Sequence, residues 1–516
     1  MTSTGILVVS HVRGFGQSLR ALQKYVYLKS LYVHLNVPIA KVPVPSYGRL
    51  ISQLYVDSNE YFHKKDFNIL VGTLKGHGTF DKLQLKPVDY IFSDGQHEIC
   101  EQLRQQLNVQ QPIIYLSDEK INDVEEFQQL EPAEKIRSYK NVVLGGTFDR
   151  IHLGHKIFLS QAVIRATSRL VVGVTTSKLT KGKTLHELIL PVDQRIEEVQ
   201  KFLTEIDPTL SYEVVPIDDP FGPTKSDPNM DMIVVSEETL RGGEKVNELR
   251  QQNGLNKLDI FCIDLVESTD KSGPKESKVS SSNTRIDLLG TRLRKPEPKP
   301  LLPPSPYLIG LTGGIASGKS KMAQRLHGMG ALVMDCDKVA HEIYEPGQVC
   351  YKKIVEEFGT DILSEDKRIN RAKLGSIVFA DAGKLEKLNN IVWPELMIEV
   401  NRRISQLRQE PDCPRVVILE AAVLLKAGWD KEVHEVWSMI IPPEEAVRRV
   451  VERNGLSEEE AKRRLASQAQ NSEIVSRSHV VFSSQWDPQF TLKQAEKAWK
   501  ILLDDLEHTT TKASNL

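Results

Sequence analysis

"YLIGLTGGIASGKSKM", residues 307–322, is the stretch that decides the fold of this chain. An apolar run, Tyr307-Leu308-Ile309, leads into Gly313-x-x-x-x-Gly318-Lys319-Ser320, and a helix-compatible "SKMAQRL" follows, closed by Gly328. Strand, glycine-rich loop and helix in that order make a phosphate cradle, because small residues let backbone N–H groups converge on phosphate oxygens at a helix N-terminus. Gly313, Gly314, Ile315, Ala316, Ser317 and Gly318 are therefore expected to wrap ATP. Lys319 would reach the β- and γ-phosphates, and the Ser320 hydroxyl would ligate Mg²⁺.

Outward from this loop, "MDCDKVAH" (334–341) ends the next strand candidate, "ALVMD". A phosphoryl acceptor needs a carboxylate to orient its hydroxyl and take its proton. Asp335 and Asp337 alternate on what reads as an extended segment, so one of them is expected to face the loop. "RVVILEAA" and "EVWSMII" are further strand candidates. In front of the loop, six prolines fall in the eleven positions 296–306, "PEPKPLLPPSP", which reads as a stiff spacer.

Upstream, "RLVVGVTT", "LSYEVVPI" and "DMIVVS" read as buried strands and "DQRIEEVQKFLTEI" as an amphipathic helix, the alternation of a parallel sheet with helices on both faces. Inside this region "NVVLGGTFDRIHLGHKIFL" (141–159) runs from a strand through Gly145, Thr147 and Phe148 to His152-x-Gly154-His155. Two imidazoles beside a helix N-terminus can bind ATP phosphates. A metal reading is weaker, because no third ligand falls in an obvious pattern. "KVSSSNTR" adds Lys278, the hydroxyls of Ser280, Ser281 and Ser282, and Arg285. Residues 1–135 also alternate ("GILVVS", "FNILVG", "VDYIFSD", "PIIYLS"), with "SLRALQKYVYLKSL" read as a helix. They suggest α/β structure and show no chemistry. The charged stretch "EPAEKIRSYKN" (131–141) is a second, weaker boundary, and no internal sequence repeat is evident.

Composition bounds the rest. At 516 residues several domains are expected, and a net charge of −2 argues against a nucleic-acid coat. No apolar run is long enough to span a bilayer. Five scattered cysteines without C-x-x-C fit a reducing compartment. The first 56 residues lack Asp and Glu, which also suits an organelle-targeting segment. A cytoplasmic location is expected, with a mitochondrial one kept beside it. Oligomeric state is not readable.

In their order, "GLTGGIASGKS", "DCDKVAH", "INRAKLGSIVF", "VVILEAAVLL" and "ERNGLSEEEAKRRLASQ" resemble dephospho-coenzyme A kinases over 307–505. The resemblance makes Asp337 the acceptor-side base and places a basic substrate clamp on Arg371, Arg449 and Arg453. The last two flank a mobile helix opened by the capping box of Ser457 and Glu460. One departure is Glu420, where the family usually has Asp. Over roughly 140–292, "GGTFDRIHLGHK", "DPFGPTKSDP", "VVSEETLRGGEKVNELR" and "VSSSNTR" resemble the eukaryotic and archaeal type of phosphopantetheine adenylyltransferase. This resemblance makes His152, His155, Lys278 and Arg285 the catalytic set, with Thr147 on a phosphate oxygen. Lys178, Lys181, Lys183 and Arg195 are candidates for the acceptor's phosphate. Together the two matches resemble the bifunctional coenzyme A synthases.

The implied architecture is α/β throughout: an N-terminal region (1–135), a Rossmann-like nucleotidyltransferase domain (136–295), a linker (296–306) and a P-loop kinase domain (307–516). Each catalytic half is expected to fold alone. Substrates would be 4′-phosphopantetheine, dephospho-coenzyme A and ATP, with Mg²⁺. Competing readings are a kinase for another small alcohol or nucleotide joined to a cytidylyltransferase-like domain, or a scaffold that keeps nucleotide folds.

Overall fold

A computed structural model describes residues 3–10, 14–36, 44–62, 65–75, 83–116, 138–268 and 272–513. The expected boundary near 135 lies outside the described residues. The chain divides into two compact units, Met1–Thr284 and Arg285–Leu516.

Unit 1 holds two five-stranded sheets. The first contains β1 (Ser3–Val9), β2 (Leu28–Leu35), β3 (Asp66–Ile69), β4 (Tyr90–Ser93) and β5 (Ile114–Tyr115), in the order β3-β2-β1-β4-β5. The second contains β6 (Tyr139–Gly146), β7 (Ala166–Thr175), β8 (Ser211–Ile217), β9 (Met232–Ser236) and β10 (Asp259–Ile263), in the order β10-β9-β6-β7-β8. Read from the other edge, that is the same topology. All pairings are parallel. Each sheet pairs its first strand with its second and fourth, so each has a switch point beside its first strand, the usual place for a ligand in such sheets.

The helix expected over 18–31 is shorter. It spans Phe15–Leu22, and Leu28 already begins β2. Leu28, Leu31, Tyr32, Val33 and Leu35 of "LKSLYVHL" are buried, and such β-branched, aromatic and aliphatic residues favour a pleated strand once a sheet is there to receive them. Nor does the second sheet stand alone. One apolar core joins Leu19, Ile51, Tyr55 and Phe67 to Leu159, Val163, Phe202 and Leu203. Residues before 117 thus share an interior with residues after 138, and the expected 136–295 module has no separate core of its own in this cluster.

Unit 2 carries β11 (Tyr307–Gly313), β12 (Leu332–Asp335), β13 (Val416–Glu420), β14 (Glu435–Ile440) and β15 (Val480–Ser483), all parallel, in the order β12-β13-β11-β14-β15. Strand alternation sends Leu308 into one core and Ile309 into the other, so both faces are covered. The proline-rich segment forms neither helix nor strand, as its composition requires. It is not a free spacer, however. Lys299 donates to the carbonyls of Asp430 and Val433, and just upstream Arg294 donates to that of Ser476. Arg292 reaches the buried Glu435 at 2.7 Å, where Tyr307 and Trp437 also donate. The division between units falls inside the helix Ser281–Leu288, not in the prolines. Among the described residues no helix is long and apolar enough to cross a membrane.

Candidate active sites

The loop after β11 takes the form its residues predict. Gly318 has φ +91° and caps the helix Lys319–Gly328, and Gly313 has φ +151°. A Cβ on Gly313 would lie 2.6 Å from the Met439 carbonyl oxygen, so only glycine fits. Lys319 Nζ lies 3.2 Å from Glu420 Oε1, and Ser320 Oγ donates to the same oxygen at 2.7 Å. Glu420, at the end of the neighbouring strand β13, therefore sits beside the Ser320 hydroxyl, and its longer side chain still reaches the loop. This carboxylate and hydroxyl suit Mg²⁺, which takes one or two protein oxygens and leaves the rest of its shell to phosphate and water.

Two cavities open from the loop. One, of about 970 Å³, is lined by the loop itself with Arg449, Arg453 and Ser484. The other, of about 1170 Å³, is lined by Tyr344, Leu374, Val378 and Trp393 with His341, Arg371 and Lys426. They meet at Gly313, Gly314, Asp337, Ala422 and Gln468.

The two aspartates part for a reason other than strand alternation. The helix Cys336–Ile343 starts between them, and Asp335 caps it by accepting from the N–H groups of Asp337 and Lys338. Asp337 is left to line both cavities. Burial pushes its carboxyl above the ordinary range, with Lys319 opposing and Asp335 and Glu420 adding to the rise. That suits a proton acceptor.

Arg449 is anchored more firmly than a solvated clamp: it donates to Glu445, to the Ala316 carbonyl and to Ser484. Arg453 donates to its neighbour Asn454 at 3.0 Å, and Arg371 opens the helix Arg371–Phe379. The Ser457–Glu460 capping box is formed. Gln468 was not anticipated; its carboxamide oxygen accepts the Ile315 N–H of the loop at 2.8 Å.

In unit 1, β6 delivers the chain to His152, the N-cap of the helix Leu153–Arg165. One helical turn brings His155 under it, and the two rings stack at 3.8 Å between centroids. His152 Nε2 lies 3.3 Å from Ser281 Oγ, so the early and late motifs meet. Burial, with His152 and Lys183 adding, holds His155 well below the usual histidine range, so it is a neutral imidazole at pH 7. Phe148 packs on His155 at 5.2 Å, and Thr147 Oγ1 accepts from Thr175 at 3.2 Å. Lys278 is paired with Glu238 and Glu276. Asn283, which carried no signal in the sequence, accepts the Glu276 N–H and donates to the Glu276 and Lys278 carbonyls, holding the loop in front of Ser280. Arg285 is buried on the same helix.

Among the basic candidates for a phosphate, Lys183 stays on the exposed loop, and Lys178 pairs with Asp218 at 2.5 Å. Arg195 is used differently from expectation. It is buried and donates to the carbonyls of Leu190, Thr147 and Thr175, so it props the loop that carries Thr147.

Comparison with known proteins matches 307–486 to the family described as Dephospho-CoA kinase and 143–286 to the one described as Cytidylyltransferase-like. A Dephospho-CoA kinase of Syntrophus aciditrophicus is 38% identical over 196 residues, which is 38% of this chain and 83% of that protein. One from Geobacter sulfurreducens is 40% identical over 192 residues, 37% of this chain and 96% of that protein. One from Lactobacillus johnsonii is 36% identical over 200 residues, 39% of this chain and 98% of that protein.

Proposed function

The chain belongs to the dephospho-CoA kinase family, and from that premise we propose that its two units perform consecutive steps of coenzyme A synthesis. A cytidylyltransferase-like domain followed by a dephospho-CoA kinase domain fits a bifunctional coenzyme A synthase. In unit 1, a phosphate oxygen of 4′-phosphopantetheine attacks the α-phosphorus of ATP. Diphosphate leaves, and dephospho-coenzyme A forms. Little proton chemistry is needed, so the protein's task is alignment and stabilisation of charge on the phosphates. The stacked His152 and His155, facing Ser281, support this reading. Lys278, Arg285, Thr147 and the hydroxyls of Ser280, Ser281 and Ser282 complete the phosphate site, and Lys183 is placed on the acceptor's phosphate.

In unit 2, the 3′-hydroxyl of the product's ribose attacks the γ-phosphorus of a second ATP. Asp337 accepts the proton, Lys319 draws charge from the transferred phosphoryl, and ADP leaves. Mg²⁺, when bound by Ser320 with Glu420 nearby, neutralises phosphate charge. Arg371, Arg449 and Arg453 hold the anionic ends of the two substrates.

The observation that carries the proposal is the position of Asp337 where the nucleotide cavity meets a second cavity, part apolar and part basic. That second cavity suits a nucleotide bearing a long, weakly polar arm better than a compact polyol. The test is to incubate purified protein with 4′-phosphopantetheine and ATP and to resolve products over time. Dephospho-coenzyme A should appear before coenzyme A, with one diphosphate and one ADP per turnover. Phosphorylation of shikimate, gluconate or a nucleoside monophosphate in preference to dephospho-coenzyme A would overturn the kinase assignment. Use of CTP in place of ATP would overturn the adenylyl-transfer assignment. Five free cysteines suit a reducing compartment, cytoplasmic or mitochondrial, which fractionation would resolve.

A further inference from the structure

The first sheet repeats the main order of the second: strand, helix, strand, helix, strand, 3₁₀ turn, strand, helix, strand, to which the second half adds a short helix, Ser177–Thr180, and the 3₁₀ turns His186–Leu188 and Glu237–Thr239. The correspondence extends to the site. The helix after the second sheet's first strand is capped by His152 and reads His152-Leu153-Gly154-His155. The helix after β1 is capped by Gly14 and reads Gly14-Phe15-Gly16-Gln17. Glycine stays at the third position, and both imidazoles are missing. The described residues among 3–116 thus share the strand order of the second sheet without a histidine pair at this helix start.

What this layer does touch is the neighbouring catalytic helix. Lys156, the residue after His155, sends its ammonium group into the first sheet. There it donates to Asp66 Oδ1 at 3.0 Å, to the Phe67 carbonyl at 2.9 Å and to Asn68 Oδ1 at 2.9 Å. All three donors of the ammonium group are spent on one strand, β3. Asn68 then donates to Glu205 at 3.1 Å, and Lys86 pairs with the other oxygen of Asp66 at 2.5 Å. Further along the same helix, Gln161 donates to the Gly48 carbonyl at 2.6 Å. Just past its end, the Ala166 carbonyl accepts from Lys75 at 2.8 Å. Burial alone would raise the Asp66 carboxyl, but Lys156 and Lys86 hold it down at about 2, so the pair stays ionic.

We propose that Asp66 and Asn68 are positioning residues for adenylyl transfer. Acting through Lys156, they fix the first turn of the helix that carries His152 and His155, and this is what the site-less N-terminal layer contributes. The inference rests on the adenylyl-transfer reading of unit 1. A displacement of catalytic groups by even about 1 Å costs up to about 100-fold in rate.

The experiment uses the full chain carrying Asp66→Asn, Asp66→Asn with Lys156→Met, or Arg20→Ala. Arg20 bonds Tyr61 on the exposed face of the same layer and is the control. Adenylyl transfer is read as kcat and KM for ATP, unit 1 melting by calorimetry, and the imidazoles by ¹⁵N NMR of histidine-labelled protein. The single variant should lose about 10- to 100-fold in kcat with KM for ATP little changed, and the His152 and His155 resonances should shift. In the double variant, melting should recover in part because the Lys156 ammonium group left without its carboxylate in the single variant is gone, while kcat stays low. Arg20→Ala should match wild type throughout. If kcat recovers together with melting, or if Asp66→Asn leaves kcat and the imidazole resonances unchanged, the proposal is overturned. If wild type itself transfers no adenylyl group, the function assigned to unit 1 fails. The positioning claim is then decided by the imidazole resonances alone.

Discussion

The two nucleotide sites are built in opposite ways. The P-loop gathers its candidate phosphate donors in eight consecutive residues, 313–320, whose backbone conformation is set locally by glycine. The histidine site draws its groups from 147–155 and 278–285, and it depends on a helix held from behind by residues some 90 positions earlier. A contiguous loop needs little more than its own strand and helix to be correct. An assembled site inherits the stability of everything that braces it. The first kind should therefore survive dissection of the chain and the second should not.

Dissection is the severest way to break this comparison. Residues 285–516 expressed alone should fold, melt cooperatively and phosphorylate dephospho-coenzyme A. Residues 138–295 alone should not fold, because they would expose the core positions now packed against Ile51, Tyr55 and Phe67. Each such side chain is worth about 1.5–3 kcal/mol when buried, so several together are comparable to the roughly 5–15 kcal/mol by which a domain is stable. A cooperative melt of 138–295 by circular dichroism, with adenylyl transfer intact, would show that the shared core is dispensable.

Single substitutions sharpen it. Lys319→Ala should reduce phosphorylation by about 10³-fold and leave adenylyl transfer unchanged, so that dephospho-coenzyme A accumulates. Coenzyme A formed at the normal rate by this variant would remove Lys319 from the reaction. His155→Ala should do the reverse at about 10²-fold, mainly in kcat, because a preorganised donor to transition-state charge is lost. Undiminished forward and pyrophosphorolysis rates would exclude it.

Glu420 tests the loop's tolerance. Its oxygen serves both Lys319 and Ser320. Glu420→Ala should lower phosphorylation by about 10-fold or more and raise the Mg²⁺ concentration needed for half-maximal rate. Glu420→Asp should stay within about 3-fold of wild type. An alanine variant as active as wild type would make the carboxylate structural only.

How much of this was readable beforehand follows the same division. The P-loop and His152-x-Gly154-His155 were legible because each carries its geometry in adjacent residues. The strands β10 and β15 escaped notice because each is short, without an extended alternating run. Arg195 read as an anion site because an arginine beside a basic loop looks alike whether it faces a phosphate or three backbone carbonyls. The contact between Asp66 and Lys156 left no local trace, since both are ordinary charged residues until the fold buries them. The kinship of the two sheets was invisible as a sequence repeat. It shows only in strand order and in the aligned helix caps, because topology constrains burial pattern more tightly than residue identity.

The smallest expected effect concerns acid, and it too separates the units. In unit 1, burial lowers His34 to about 4 and holds His155 well below its ordinary value. Both are near 6.5 when unfolded. Below pH 6.5 the unfolded chain therefore binds protons that the folded unit refuses, and unfolding gains. The stability these residues confer is fully present above about 6.5. It is lost progressively as pH falls towards 4 in the case of His34. In unit 2, His434 and His479 are also lowered by burial, and each accepts a backbone N–H through Nδ1, from Leu308 and Val436. Protonation would abolish those acceptors, so unit 2 should lose stability over the upper part of the same window. Calorimetry of the full chain between pH 7 and 4.5 should show both transitions moving down, with unit 1 still falling at the acid end. His34→Asn should flatten the lower part of the unit 1 curve and leave unit 2 unchanged. If the two transitions fall in parallel and that variant changes neither slope, the acid sensitivity of unit 1 lies elsewhere than in its buried imidazoles.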